Sequence, residues 1–456
     1  MNCTDVIILA AGKGSRMQSS LPKVLHLLAG RPLLEHVLTA SNKVANARSI
    51  LVTGHGADEV ESVCAHDAYV AVRQIEQLGT ANAVQAALPH LREHSKVVIL
   101  YADVPLIHPN TICRMLEAVD GEQISLLTLD MAEPSGYGRI VRNSNGVIEA
   151  IVEHRDASPS QRGICEINTG VMALGAEQLK AWLPEIDNRN VQNEYYLTDL
   201  ISIARKHNYH VKSIQPATAN EVQGVNDRIQ LSRLERAYQL QLAHALMLSG
   251  TTLADPARFD QRGELSAGID NYIDINCVFT GAVTLGSGVT IGANCMITDS
   301  SIADGAVIAT NSVIESAQVG AGCSVGPFAR LRPGTILGAG AKVGNFVETK
   351  KVRVGAGSKI NHLSYIGDAD LGDNVNIGAG TITCNYDGAN KHATRLGDDV
   401  FIGSNSTLVA PVHVGDRGFV AAGTTLTCDV LDAELAVGRA RQRNIADWRR
   451  PVKKED

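Results

Sequence analysis

From about residue 270 onward the chain repeats every six residues, a period that fits neither a helix nor an ordinary hairpin. Val319, Val325, Leu331, Leu337 and Val343 are spaced by six, as are Val354, Ile360 and Ile366, then Leu371 and Ile377. Leu396, Ile402, Leu408, Val414, Val420 and Leu426 complete the series. Glycine follows directly at Val319-Gly320, Val343-Gly344, Ile366-Gly367, Ile402-Gly403 and Val414-Gly415. This pattern predicts a parallel β-helix in which each unit is a short strand and a turn with one aliphatic side chain inside. Three units close a triangular coil, so residues 18 apart stack, Leu396 over Val414 and Ile402 over Val420. Coils then stack at about 4.8 Å. An aromatic content of 4% and 42 glycines agree with a core of small aliphatics rather than rings. The repeat is interrupted at Thr349–Arg353 and at Cys384–His392, and insertions in a solenoid project as loops from one face, often the binding face.

The first half reads differently. Val6–Ala10, Ile50–Thr53 and Val97–Tyr101 are short continuous apolar runs, and Leu33–Leu38 continues a helix between the first two. Strand–helix–strand order predicts an α/β domain with a Rossmann-like, mostly parallel sheet whose ligands sit at the carboxyl ends of the strands. A chain of 456 residues is long enough for two such cores. From Asn226 to Leu248 the apolar spacing predicts one long helix, ending at Gly250 and joining the halves.

A net charge of −7 argues against a general nucleic-acid binder. Met1–Leu9 lacks the basic flank and long apolar run of a secretory leader, and no stretch approaches the roughly 18 apolar residues of a membrane span. Nine cysteines occur singly, without CxxC pairs, which suggests reduced thiols in the cytoplasm, mostly core fillers, and no structural zinc.

Leu9-Ala10-Ala11-Gly12-Lys13-Gly14-Ser15-Arg16-Met17 follows the first strand, at what reads as a strand-to-helix turn. Small residues there let backbone N–H groups approach phosphates, and a helix start favours an anion. It is neither a Walker A loop nor GxGxxG, because Met17 takes the third glycine position. Arg16 and, after Leu21-Pro22, Lys23 add the fixed cations that phosphoryl or nucleotidyl transfer uses. Asp103 ends the strand Val97–Tyr101, and Gln74–Ala81 supplies amides suited to reading a pyrimidine edge.

LAAGKGSRM, LPKVL, EQLGTA, YADVPL, GYGRI, IVEH, EINTG and EYYLTD occur in that order, and NIGAGTITCNYDG and WRRPVKK follow. With these motifs the chain resembles the bifunctional N-acetylglucosamine-1-phosphate uridylyltransferase/glucosamine-1-phosphate acetyltransferases over nearly its whole length. The resemblance implies that the backbone around Leu9, Ala10, Ala11, Gly12 and Gly14 holds UTP while Arg16 and Lys23 neutralise its phosphates. Gln74 and Gly79 would read uracil, Thr80 and Tyr101 would belong to the same UTP and UDP-N-acetylglucosamine site, and Asp103 and Asn226 would hold Mg²⁺. Gly138, Glu153, Asn168 and Thr198 would hold the sugar. Alanine stands at 102 where the family motif has glycine, and its methyl is expected to narrow the site beside Asp103.

In the repeat region, His362 comes two residues after the inward Ile360 and is expected to face outward near a coil corner, where an imidazole can take a proton from an amine. His392 and His413 read as surface residues. The resemblance makes His362 the general base, and Arg332, Lys350 and Lys391 the cations that hold the phosphate of glucosamine 1-phosphate. Tyr365 and Asn376 would line its sugar. Asn385 and Tyr386 would border both sugar and acetyl-CoA, and Ala379, Ser404, Ala422 and Arg439 would contact acetyl-CoA. The family's hexapeptide coil is a left-handed parallel β-helix, and its members are homotrimers with sites between neighbouring coils. The implied division is residues 1–225 for uridylyl transfer, 226–249 for the linking helix, 250–440 for acetyl transfer and 441–456 for a basic tail. The competing reading makes the β-helix only an oligomerisation or regulatory module.

Overall fold

The computed structural model describes residues 3–65 and 68–453. Met1 and Asn2, at the start of the stretch read for a leader, and Lys454, at the end of the basic tail, lie outside them. The chain folds as two compact units that divide between Tyr238 and Gln239, within the helix Arg228–Leu248.

In the first unit, β1 (Thr4–Leu9), β2 (Ala47–Thr53), β3 (Tyr69–Arg73), β4 (Lys96–Tyr101), β5 (Gln123–Asp130), β6 (Arg139–Arg142), β7 (Ile148–Val152), β8 (Glu166–Gly175) and β9 (His210–Ile214) form one sheet. Its main path runs β9-β5-β8-β4-β1-β2-β3, and β6 and β7 form an antiparallel arm off β8. The pairs β1–β2, β1–β4, β2–β3 and β5–β9 are parallel, and β8 is antiparallel to both neighbours. Every residue of β1 is buried because the sheet is covered on both faces: Val6 and Ile8 join one apolar cluster, Ile7 and Leu9 the other. The carboxyl ends of β1 and β4 therefore open side by side. Leu33 starts its helix (Leu33–Asn42) rather than continuing one, since Pro32 just before it supplies no N–H to an earlier turn.

The second unit is a parallel β-helix. Register stacks Leu396 on Val414 and Ile402 on Val420, as the six-residue period predicts. Eleven short strands line up in one sheet, and long strands such as Cys277–Leu285 and Tyr365–Leu371 turn a corner, merging the other two faces into a second sheet of fifteen. The inward aliphatics form one continuous core from Leu253 to Val430. The frequent glycine after an inward aliphatic has a steric cause: a Cβ on Gly403 would stand 2.4 Å from the backbone nitrogen of Ala422 in the next coil.

Two features depart from the sequence reading, and a third agrees with it. The coil begins at Thr251–Leu253, some twenty residues before the period shows, because its first turn contains the 3₁₀ segment Pro256–Arg258 and the nine-residue strand Phe259–Ala267. Thr349–Arg353 is not an insertion. Thr349 occupies the inward position, fully buried between Leu331 and Ile366, and its hydroxyl lies 3.0 Å from that of Thr335. The corner at Lys351 has φ +46°, as do the equivalent corners at Asp299 and Asp368 within a few degrees. A polar residue takes the inward position, and the step from Thr349 to Val354 is one residue short of six, so the coil from Leu337 to Val354 has 17 residues. The second interruption is a real loop: Leu371 stacks on Leu396, a coil of 25 residues where the preceding one, Val354 to Leu371, has 17. Of the nine cysteines, none in a disulfide, four are buried (Cys64, Cys277, Cys295, Cys323), while Cys165 and Cys428 are exposed. Burial pushes the Cys277 thiol up to about 12.

Candidate functional site

In the first unit a cavity of about 370 Å³ opens at the carboxyl ends of β1 and β4. It is lined by Leu9, Ala10, Ala11 and Gly12 from the glycine turn, by Gln74, Gly79 and Thr80, and by Lys23, Tyr101 and Asp103. Local geometry explains the residue choices. Gly14 has φ +60°, and a Cβ there would stand 2.5 Å from Cβ of Lys23. Gly79 has φ +119° and lies against the backbone of Tyr195, where a Cβ would come within 2.6 Å of the carbonyl oxygen. Thr80 Oγ1 accepts from Leu197 N at 3.0 Å, tying this loop to the segment before Thr198.

The glycine turn does not lead into an α-helix. It is followed by a 3₁₀ turn, Ser15–Met17, and another at Lys23–Leu25. No helix dipole therefore faces the cavity from this turn. The positive field comes from side chains: Lys23 Nζ pairs with Asp103 and reaches Asn226 Oδ1 at 3.4 Å, and Arg16 donates to the same oxygen at 2.9 Å. Asp103 and Asn226, 123 positions apart in the chain, thus turn oxygens toward one cationic point. Hard oxygen donors converging where a cation sits suit Mg²⁺. The methyl of Ala102 does not narrow the site. It is fully buried in the apolar cluster with Val6, Ile8 and Ala10, because successive residues of a strand face opposite sides.

The sugar residues named from the sequence also converge. Thr198 Oγ1 donates to Glu153 Oε1 at 3.2 Å, Asn168 N donates to Gly138 O at 2.8 Å, and a Cβ on Gly138 would lie 3.5 Å from both carboxylate oxygens of Glu153. Burial raises the Glu153 carboxyl above its usual range, opposed by the Thr198 hydroxyl. Glu153 lines two adjoining cavities, one with Thr198 and Asp199, the other with Arg16 and Tyr196. Sequence reasoning missed Gln77, whose Nε2 donates to Ala11 O at 3.1 Å, and Glu194, which lines the first cavity. Gln77 stands within the polar loop already singled out and Glu194 opens the motif EYYLTD, so both segments were marked in the sequence although neither residue was given a role.

In the second unit, His362 is exposed at a coil corner, and its Nδ1 lies 2.7 Å from Asn345 Oδ1, one coil below. The turns above it stack in a column: Gly380 N donates to His362 O, Asn405 N to Ala379 O and Gly423 N to Ser404 O, and Arg439 Nη1 reaches Ala422 O at 2.6 Å. A second group gathers around Lys350, which touches Lys391 from the inserted loop and feels Arg332. These two cations lower its pKa, and Asp368 opposes them. Asn385 donates to Asp368, and Tyr365 shares the strand Tyr365–Leu371. Asn376 is not part of this group. It stands on the eleven-stranded sheet, in register between Lys359 and Phe401. Tyr386 closes its own loop through a hydrogen bond to Gly388 O at 2.6 Å. His392 pairs with Asp387, and His413 is exposed. The tail from Arg441 to Lys453, with Arg443, Arg449 and Arg450, is exposed.

Comparison with known proteins matches the same two halves. Residues 6–158 match the MobA-like NTP transferase domain, 267–362 the GMPPB C-terminal domain, and 393–428 the hexapeptide repeat of succinyl-transferase. The bifunctional protein GlmU of Marinobacter nauticus is 56% identical over 453 residues, covering 99% of this chain and 100% of that protein. Those of Cellvibrio japonicus and Stutzerimonas stutzeri are each 55% identical, over 99% of both chains. Similarity at this level from end to end, across both a nucleotidyltransferase sheet and a hexapeptide coil, means that the chain belongs to the family of the bifunctional protein GlmU.

Proposed function

We propose that the protein makes UDP-N-acetylglucosamine in two steps at two separate sites. Residues 250–440 transfer acetyl from acetyl-CoA to glucosamine 1-phosphate, and residues 1–225 transfer uridylyl from UTP to N-acetylglucosamine 1-phosphate. The helix of residues 226–249 links them, and residues 441–456 form the tail. The observation that carries this reading is the pairing, in one chain, of a cation-lined cavity at the ends of β1 and β4 with an exposed histidine on a six-residue coil.

In uridylyl transfer, the glycine turn and the amides of Gln74 and Gln77 orient the nucleotide, and Arg16 and Lys23 offset its phosphate charge. The sugar phosphate, held by Gly138, Glu153, Asn168 and Thr198, attacks the α-phosphorus in line and pyrophosphate leaves. Asp103 and Asn226 would hold Mg²⁺, and the ion would help to neutralise the charge that develops on the phosphates. In acetyl transfer, the Nδ1–H of His362 donates to Asn345 Oδ1, which leaves Nε2 to accept a proton from the attacking amine. Arg332, Lys350 and Lys391 take the substrate phosphate, and Arg439 lies at the head of the column of turns suited to acetyl-CoA.

Asn376 on a separate face, with exposed stacked rings at Phe401–Phe419 and Phe328–Phe346, supports a homotrimer whose acetyl sites are shared between coils. No described helix is long and apolar enough to cross a membrane, and we place the enzyme in the cytoplasm. The test is turnover by purified protein in two assays, acetyl-CoA with glucosamine 1-phosphate and UTP with N-acetylglucosamine 1-phosphate. Both are expected to proceed, and absence of acetyl transfer would return the β-helix to a scaffold.

A further inference from the structure

Among the described residues Arg139 is the largest side chain buried to below 2% exposure, and its hydrogen bonds there go to no carboxylate. A guanidinium keeps its charge inside a protein and has no acceptor atoms, so burying one without an acid is costly unless its N–H groups are used. Arg139 donates through Nη1 to Tyr137 O and through Nη2 to Arg162 O and to His154 Nδ1, both at 3.4 Å, and its Nε has no partner. It therefore ties together the turn carrying Gly138, the helix end at Arg162 and the residue that follows Glu153.

The contact with His154 decides a tautomer. Because arginine can only donate, Nδ1 of His154 must accept, and the ring hydrogen sits on Nε2. That Nε2 has no partner among the described residues, and His154 lines a cavity of about 520 Å³ together with Ser15, Arg16, Glu153, Arg155 and Tyr196. The same cavity is lined by Arg16, the cation expected on the nucleotide phosphates, and by Glu153, the carboxylate expected on the sugar, so a ligand reaching both lies in the space that His154 lines.

We infer that His154 is a binding residue for the phosphate of the acceptor sugar, donating from Nε2, and that Arg139 is the positioning residue that fixes its tautomer. Arg155, exposed beside it, adds long-range attraction for the same dianion. This inference rests on the uridylyl-transfer reading of the unit.

Two measurements on the full-length protein test it. Kinetics come first. Gln carries its amide N–H near the ε position and Asn does not, so His154→Asn should raise KM for N-acetylglucosamine 1-phosphate about tenfold or more, the worth of a hydrogen bond to a charged group. His154→Gln should recover most of that loss, and KM for UTP should stay within about twofold in both variants. An unchanged KM in His154→Asn, or equal losses for Asn and Gln, would overturn the proposal. A wild-type protein that turns over UTP with no amino-sugar phosphate sinks the functional reading instead, so the two failures are distinct. Second, spectra of [¹⁵N]histidine-labelled protein, with His154 assigned from the His154→Gln difference, should show a protonated Nε2 and a bare Nδ1. A proton on Nδ1 would contradict the role of Arg139.

Discussion

At the residue scale, chemistry in the two units depends on side chains whose surroundings give them different duties. His362 is exposed and oriented by a single neighbour, Asn345. Replacing it with alanine should lower acetyl transfer by about 10²–10⁴-fold, the usual worth of a general base, and leave uridylyl transfer within about twofold. Near-normal acetylation in that variant would remove His362 from the mechanism. Asp199 behaves oppositely, because burial, then Asp187 and Asp156, push its carboxyl from 3.8 up to about 6. A carboxyl raised on folding binds its proton more tightly in the native state, so its contribution is present at low pH and is lost as pH rises from about 4 through 6. Asp199→Asn should therefore raise Tm relative to wild type at pH 7.5 but not at pH 4, and a pH-independent difference would refute the assignment. Residues such as Arg16, Lys23, Asp103 and His362 were legible in the sequence because each follows a recognisable strand, turn or repeat. Arg139 was not, since an arginine at a strand start normally signals solvent, and only the structure reveals it fully buried.

At the scale of elements, the six-residue period marked the coil in the runs of inward aliphatics from Val319 on, and it failed at Thr349, where a threonine fills the inward position and the next step, to Val354, is one residue short. The opening coil escaped notice for a related reason: Leu253 and Ile273 stack, but they are twenty residues apart and share no six-residue spacing. The expected helix after the glycine turn was also misread, because strand–glycine–helix is the commoner outcome and nothing local announces a 3₁₀ turn. The inserted loop is organised around Asp387, which accepts from Ala389 N at 2.8 Å, Asn390 N at 2.6 Å and His392 at 2.8 Å, and these donors hold its carboxyl well below the usual range. This frame delivers Lys391 to Lys350. Excising residues 385–392 would restore a coil of the length found below it, and loop length itself costs little stability. The shortened protein is expected to unfold within a few degrees of wild type by calorimetry while KM for glucosamine 1-phosphate rises at least tenfold. A collapse in Tm would mean that the loop holds the coil together rather than serving the ligand.

At the scale of the whole molecule, the chain forms two compact units, and each carries one of the two candidate sites. The trimer proposed from the stacked exposed phenylalanines predicts sedimentation at three times the 48.5 kDa chain, and a Phe401→Glu variant that sediments as smaller species. A wild-type monomer with full acetyl transfer would refute shared sites. The central claim, two independent reactions run in sequence, is tested most directly by mixing two singly disabled proteins. Arg16→Ala and His362→Ala are each supplied with glucosamine 1-phosphate, acetyl-CoA and UTP, and UDP-N-acetylglucosamine is measured. Each variant alone should form almost none and the mixture should form it readily, because one makes the acetylated intermediate that the other consumes. A mixture as inactive as its components, or full product from either variant alone, would contradict the account.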